Sequence, residues 1–140
     1  KRLICSWRER SALTLSTVPS RSLADAAVDA CRLALESPGS VGLLLADASM
    51  PAMVRALSRS GLAYAALGAD DEARLTVVPA TMAKGLEFDY VVLVEPADIA
   101  VADQQVDPRF GLRRLYIALT RAVSGLTVVH AKPLPGALAA

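Results

Sequence analysis

Long apolar runs are absent from this sequence. Nothing approaches the roughly 18 to 20 consecutive apolar residues that a membrane-spanning helix needs, so the sequence offers no candidate for such a helix. The opening residues, Lys1-Arg2-Leu3-Ile4-Cys5, are not followed by the apolar core of a secretory signal. An excess of charge is lacking too: 15 basic and 14 acidic residues leave a net +1. No overall field draws the chain to nucleic acid or to a membrane surface, and any such binding has to be local. Cysteine is scarce. Cys5 and Cys31 have neither CxxC nor Cys/His spacing, and one pair makes no disulfide framework, which points to a reducing, cytoplasmic compartment. The one histidine, His130, has no Cys, Asp or Glu at ligand spacing and reads as a packing or capping residue. No internal repeat is present, and no low-complexity segment beyond generous use of alanine. An initiator methionine is missing as well, and the expectation is a piece of a longer chain.

What is present is apolar content. At 54% of 140 residues it suffices for one well-buried domain over residues 1–140, with little room for a second. Twelve of the basic residues are arginine, whose planar forks suit phosphate or carboxylate. Residues 12–17, ALTLST, read as a strand. Ser22-Leu23-Ala24-Asp25 has the S-x-x-D form of a helix start, with the serine hydroxyl expected to cap a free amide. Asp25, Asp29, Arg32 and Glu36 then recur on one helix face and Leu23, Ala27, Ala30 and Ala34 on the other, until Ser37-Pro38-Gly39.

Residues 41–46, VGLLLA, are apolar throughout and short, as a strand covered on both faces of a parallel sheet would be. Asp47 follows, placed either as a ligand group or as a cap of the next helix together with Ser49. That helix carries Met50, Met53, Val54 and Leu57 as its stripe and Gly61 as its left-handed end. A short strand around 64–67, an acidic turn at 70–72 and a strand at 75–78 come next. Tyr90-Val91-Val92-Leu93-Val94 is rich in β-branched and aromatic residues, and Glu95-Pro96 ends it. Residues 97–109 read as a polar loop, 112–123 as a helix and 126–130 as a last strand. Strands alternating with helices make an α/β domain around a mostly parallel sheet.

In such sheets ligands gather at the carboxyl ends of strands, which draws attention to the residues after Val78. The chain there reads Pro79-Ala80-Thr81-Met82-Ala83-Lys84-Gly85-Leu86-Glu87-Phe88-Asp89. Gly85 admits a backbone geometry, or a close ligand approach, that a Cβ would block, and Lys84 and Glu87 set opposite charges on either side of it. A solvated turn leading into a strand would look the same. The second segment, RRLYIALTRA at 113–122, places Arg114, Ala118 and Arg121 near one helix face and Arg113, Tyr116 and Thr120 near another. Helical arginines are commonly solvated, and Leu112, Leu115, Ile117 and Leu119 read as core.

Together, KGLEFD ahead of a strand and LYIALTRA in the following helix resemble the fifth and sixth motifs of UvrD/Rep-like superfamily 1 helicases. The resemblance implies a three-layer RecA-like fold of the P-loop NTPase type. It implies the C-terminal, second RecA-like domain, packed across an ATP cleft from an N-terminal RecA-like domain of the same chain. ATP with Mg2+ is the expected cofactor, the metal ligands lying on that partner domain. Arg121 matches the arginine that reaches the γ-phosphate as a finger, the catalytic residue of this half. Glu87 matches the glutamate that hydrogen-bonds the ribose, and Gly85 lets the backbone pass close to the nucleotide. Thr81 and Lys84 occupy the limb that approaches the nucleic-acid strand in relatives.

Departures from the pattern narrow the expectation. Unwinding members carry Thr-x-His at the fifth and third positions before the lysine, where this chain has Pro79 and Thr81, and proline brings neither hydroxyl nor amide donor. The acidic residues that precede the double arginine are replaced by Phe110 and Gly111. A GxxxxGK[ST] loop and the tyrosine-arginine motif of the domain's start are both missing, so these residues alone are expected to show no ATP turnover. The runs VVLVEPADI and LTRAVSGLTVVHAKPLP are most similar to HelD-type factors, which bind bacterial RNA polymerase and recycle stalled complexes. The expected partners are therefore DNA, RNA polymerase or both. The alternatives are a conventional DNA-unwinding helicase and a nucleotide-switched protein-binding module.

Overall fold

The computed structural model describes residues 2–8, 11–67, 73–101 and 117–134. Among these, the strands are β1 (Arg2–Arg8), β2 (Ser11–Thr17), β3 (Val41–Leu45), β4 (Ala65–Ala66), β5 (Leu75–Pro79), β6 (Phe88–Val94) and β7 (Ala122–His130). They form one sheet in the order β1-β2-β7-β6-β3-β5-β4. From β2 to β4 every neighbouring pair is parallel, and β1 adds an antiparallel edge strand against β2. The helices are α1 (Leu23–Leu35), α2 (Met50–Ser60) and α3 (Pro96–Val101).

β3 shows why the sheet needs cover on both sides. Successive strand residues point to opposite faces, and all five residues of β3 are buried. On one face Leu43 and Leu45 meet Ala27, Val28 and Cys31 of α1 and Met53, Ala56 and Leu57 of α2. On the other, Leu44 packs with Ile99 and Ala100 of α3, Ala80 and Ala83 of the β5–β6 connection, and Ala118. The result is the three-layer α/β architecture with a parallel sheet that the alternating pattern predicts. Gly42 lets this packing close: a Cβ there would lie 2.5 Å from the Phe88 ring.

Several elements differ from the sequence expectation. β1 was not anticipated; it pairs antiparallel with β2, Leu3 beside Leu15 and Cys5 beside Leu13. Ser22 and Ser49 occupy the N-cap positions of α1 and α2 without side-chain capping bonds, because 3-10 turns at Ser20–Ser22 and Asp47–Ser49 lead the chain into each helix. The buried face of α1 is centred on Ala27, Val28 and Cys31, with Leu23, Ala30 and Ala34 of the predicted face partly buried against the same core. Gly61 ends α2 at φ 80° as expected. The start of the predicted polar loop is α3: Pro96 begins it with a preset φ, and Ile99 and Ala100 are buried. Of the predicted helix over 112–123, residues 117–119 are helical among the described residues, 120–121 form a turn, and from Ala122 the backbone joins the β6 ladder as β7. The acidic turn at 70–72 and residues 102–116, with Arg113 and Arg114, lie outside the described residues.

Among the described residues no helix is long and apolar enough to cross a membrane. Cys31 is fully buried, and desolvation pushes its thiol up to about 12. In a Cys5→Ser background we expect an aromatic disulfide reagent to label Cys31 only as fast as the protein unfolds. Prompt labelling of the folded protein would contradict that burial. The pH dependence has a definite sign. An unfolded chain releases the thiol proton near the ordinary 9.0 and the folded one near 12, so stability is retained below 9 and falls as pH rises through that window.

Candidate functional site

Strand register places the candidate residues at two levels. Leu45 pairs with Pro79 at the carboxyl end of β3, Val41 pairs with Tyr90 at its amino end, and Phe88 lies beside Ala122 below that. The connection over residues 80–87 therefore starts at the carboxyl edge of the sheet and finishes at the amino edge, a climb of at least about 13 Å at 3.3 Å per strand residue. Buried Ala80 and Ala83 hold it against the sheet. Thr81 belongs to the first edge and Glu87 and Arg121 to the second. Only the first is the edge where parallel sheets ordinarily gather ligands.

At the amino edge the two sequence segments meet. Arg121 Nη1 donates to the Leu86 carbonyl at 3.1 Å, Nε to Ile117 O at 3.0 Å, and Nη2 to Thr120 Oγ1 at 3.1 Å. Thr120 Oγ1 in turn donates to Ile117 O at 2.9 Å, so the hydroxyl is fixed as an acceptor for the arginine. The backbone closes the same junction, with Phe88 N donating to Arg121 O at 3.0 Å. These acceptors are neutral oxygens, which leaves the half-buried guanidinium its full charge. Among the described residues three of its five N–H groups are engaged, and the other two can take an anionic oxygen without loosening the frame.

Gly85 has φ 86°, and a Cβ on it would meet nothing within 4 Å. Its requirement is therefore backbone conformation, not crowding. Lys84, Gly85 and Glu87 are exposed, Glu87 one residue beyond the carbonyl that Arg121 holds. Asp89, which ends KGLEFD, is engaged structurally: it accepts from Ser40 N at 2.8 Å while Ser40 Oγ accepts from Asp89 N at 3.1 Å.

At the carboxyl edge Asp47 caps neither helix. Its carboxylate accepts from Thr81 Oγ1 at 2.5 Å and from Thr81 N at 3.3 Å. Sequence reasoning missed this pair because the partners are far apart in the chain and each has an ordinary local role available. It also missed Glu95, 3% exposed and with φ 50°, whose carboxylate accepts from Ala131 N at 3.0 Å and Lys132 N at 3.2 Å. The position before Pro96 was its one signal. Lys132 Nζ pairs with Asp98, and that hydrogen bond raises the Lys132 pKa. His130 is a capping residue, as expected: Nδ1 donates to Lys132 O at 2.8 Å and Nε2 meets Thr17 Oγ1 at 3.1 Å. Among the described residues no cluster of His, Cys, Asp or Glu could hold a metal ion.

No family model matches the chain, and no curated protein matches it. Among solved structures it is similar to the C-terminal domain of a possible DNA helicase from Lactobacillus plantarum WCFS1, with a TM-score of 0.70 and 24% sequence identity. The likeness covers 91% of this chain and 77% of that one. At that identity it establishes a shared fold.

Proposed function

We propose that this chain is the C-terminal RecA-like domain of a superfamily 1 helicase-like motor ATPase, one domain of a longer cytoplasmic polypeptide. The observation that carries the reading is the hydrogen bond from Arg121 to the Leu86 carbonyl, which joins the arginine of one helicase-like motif to the loop of the other at a single edge. The fold shared with a possible DNA helicase's C-terminal domain agrees with it.

In this reading ATP and Mg2+ are held mainly by an N-terminal RecA-like domain, and the nucleotide supplies the transferable phosphoryl group. The residues here complete the site from across the cleft. Arg121 directs its two remaining N–H groups at a γ-phosphate oxygen, where fixed charge stabilises the transferring group most. Glu87 accepts a hydrogen bond from the ribose, and Gly85 keeps the approach clear of side-chain atoms. Because Arg121 gains its phosphate partner only when the cleft closes, the ATP-bound state favours closure and hydrolysis releases it.

Thr81 and Lys84, at and beyond the other edge, form the limb for DNA or for a protein partner. Within this family HelD-type recycling of RNA polymerase is the reading the sequence favours, and a conventional DNA helicase is the alternative. Strand displacement by the intact protein separates them. We expect ATPase activity without duplex unwinding and with stable co-purification of RNA polymerase; ATP-dependent unwinding would establish the conventional helicase instead. The 140 residues alone are expected to fold and show no ATP turnover, and hydrolysis by the pure chain would refute the division of the site.

A further inference from the structure

We propose that Asp47 is a specificity-determining residue that turns the carboxyl edge away from nucleic-acid phosphates. The inference rests on the reading of Thr81 as part of the partner-contacting limb. A phosphate oxygen docking at residue 81 would use its hydroxyl and its amide, the usual donors of sequence-independent backbone contacts. Both are already directed at the Asp47 carboxylate, at 2.5 Å and 3.3 Å. The neighbouring Pro79 has no amide hydrogen to offer in their place.

Charge works in the same direction as geometry. Asp47 is exposed at the end of β3, so a phosphate drawn to Thr81 has to approach a carboxylate within hydrogen-bond distance of the same hydroxyl. Displacing the carboxylate sacrifices a charge-assisted hydrogen bond; leaving it in place sets two negative charges side by side. Lys84 supplies a countercharge farther along the connection, but it is exposed, and a single exposed lysine adds only a salt-sensitive attraction. An edge built this way discriminates against strands while leaving a protein surface with arginine or lysine side chains unopposed.

The test is fluorescence anisotropy of a labelled oligothymidine with the chain and its variants, in the absence of nucleotide, at low and high salt. Asp47→Asn keeps an acceptor for Thr81 and removes the charge. We expect it to bind the single strand about five-fold more tightly than wild type at low salt, an advantage lost at high salt. Adding Thr81→Val to Asp47→Asn should abolish the gain, with melting temperatures showing that each variant is folded. Affinity unchanged or weakened by Asp47→Asn, or a gain that survives Thr81→Val, overturns the proposal. Neither Arg121 nor ATP enters this assay, so failure of the nucleotide reading would appear in turnover and leave this result intact.

Discussion

Replacing Arg121 with alanine in the intact protein is expected to slow ATP turnover about a thousand-fold or more while leaving nucleotide affinity nearly unchanged. The asymmetry follows from where the guanidinium sits. Its three engaged N–H groups hold it to Leu86, Ile117 and Thr120, so under the proposed finger role its charge would be in place before substrate arrives and little reorganisation would accompany the transfer. Binding, in the proposed reading, rests mainly on the partner domain. Arg121→Lys should fare little better, because a lysine retains the charge but cannot keep three directional bonds and a free pair of donors. Loss of those bonds also costs about 1–2 kcal/mol of stability, which thermal unfolding measures separately. A catalytic rate unchanged in folded Arg121→Ala would remove the finger assignment.

The largest effect on folding is expected at Gly42. Gly42→Val should destabilise the protein by about 2–3 kcal/mol, the upper part of the range for overpacking a core, read from urea unfolding. The added atoms enter the Phe88 ring, which cannot easily retreat. Phe88 is itself 8% exposed, packs in the cluster with Val91 and Ala122, and has its amide tied to Arg121 O. Gly42→Ala should show a milder form of the same loss. Pairing Gly42→Ala with Phe88→Leu should recover part of it, a non-additivity that reports direct contact. A neutral Gly42→Ala would mean that the strand and ring separate at little cost.

These two sites mark what the sequence reveals and what it hides. VGLLLA and YVVLV announce buried parallel strands because both faces demand apolar side chains. Gly85 and Gly61 are legible because a positive φ leaves glycine as the ready choice. Motif order also brings Arg121 and the KGLEFD loop to suspicion together. Their contact is hidden, since nothing in a linear pattern says that a carbonyl at Leu86 will face a guanidinium at Arg121. α3 is misread because a short helix with polar residues is decided by Pro96 at its start and by burial of Ile99, not by periodicity. Asp47 is misread because local capping and a distant threonine compete for the same carboxylate, and only the register of β3 with β5 decides between them. The antiparallel β1 has a similar cause: its pairing partner, not its composition, gives it a place in the sheet.

The connection over residues 80–87 ties the two edges of the sheet to each other. One end is held by Asp47 and the other by Arg121, and between them Ala80 and Ala83 sit against the sheet. Fully extended, eight residues would reach about 26–29 Å, so the connection is folded along its path, through the 3-10 turn at Ala80–Met82 and the turn at Gly85, rather than drawn taut. The two edges of the sheet are thereby joined by a single peptide segment pinned at both ends and, through Ala83, along its middle.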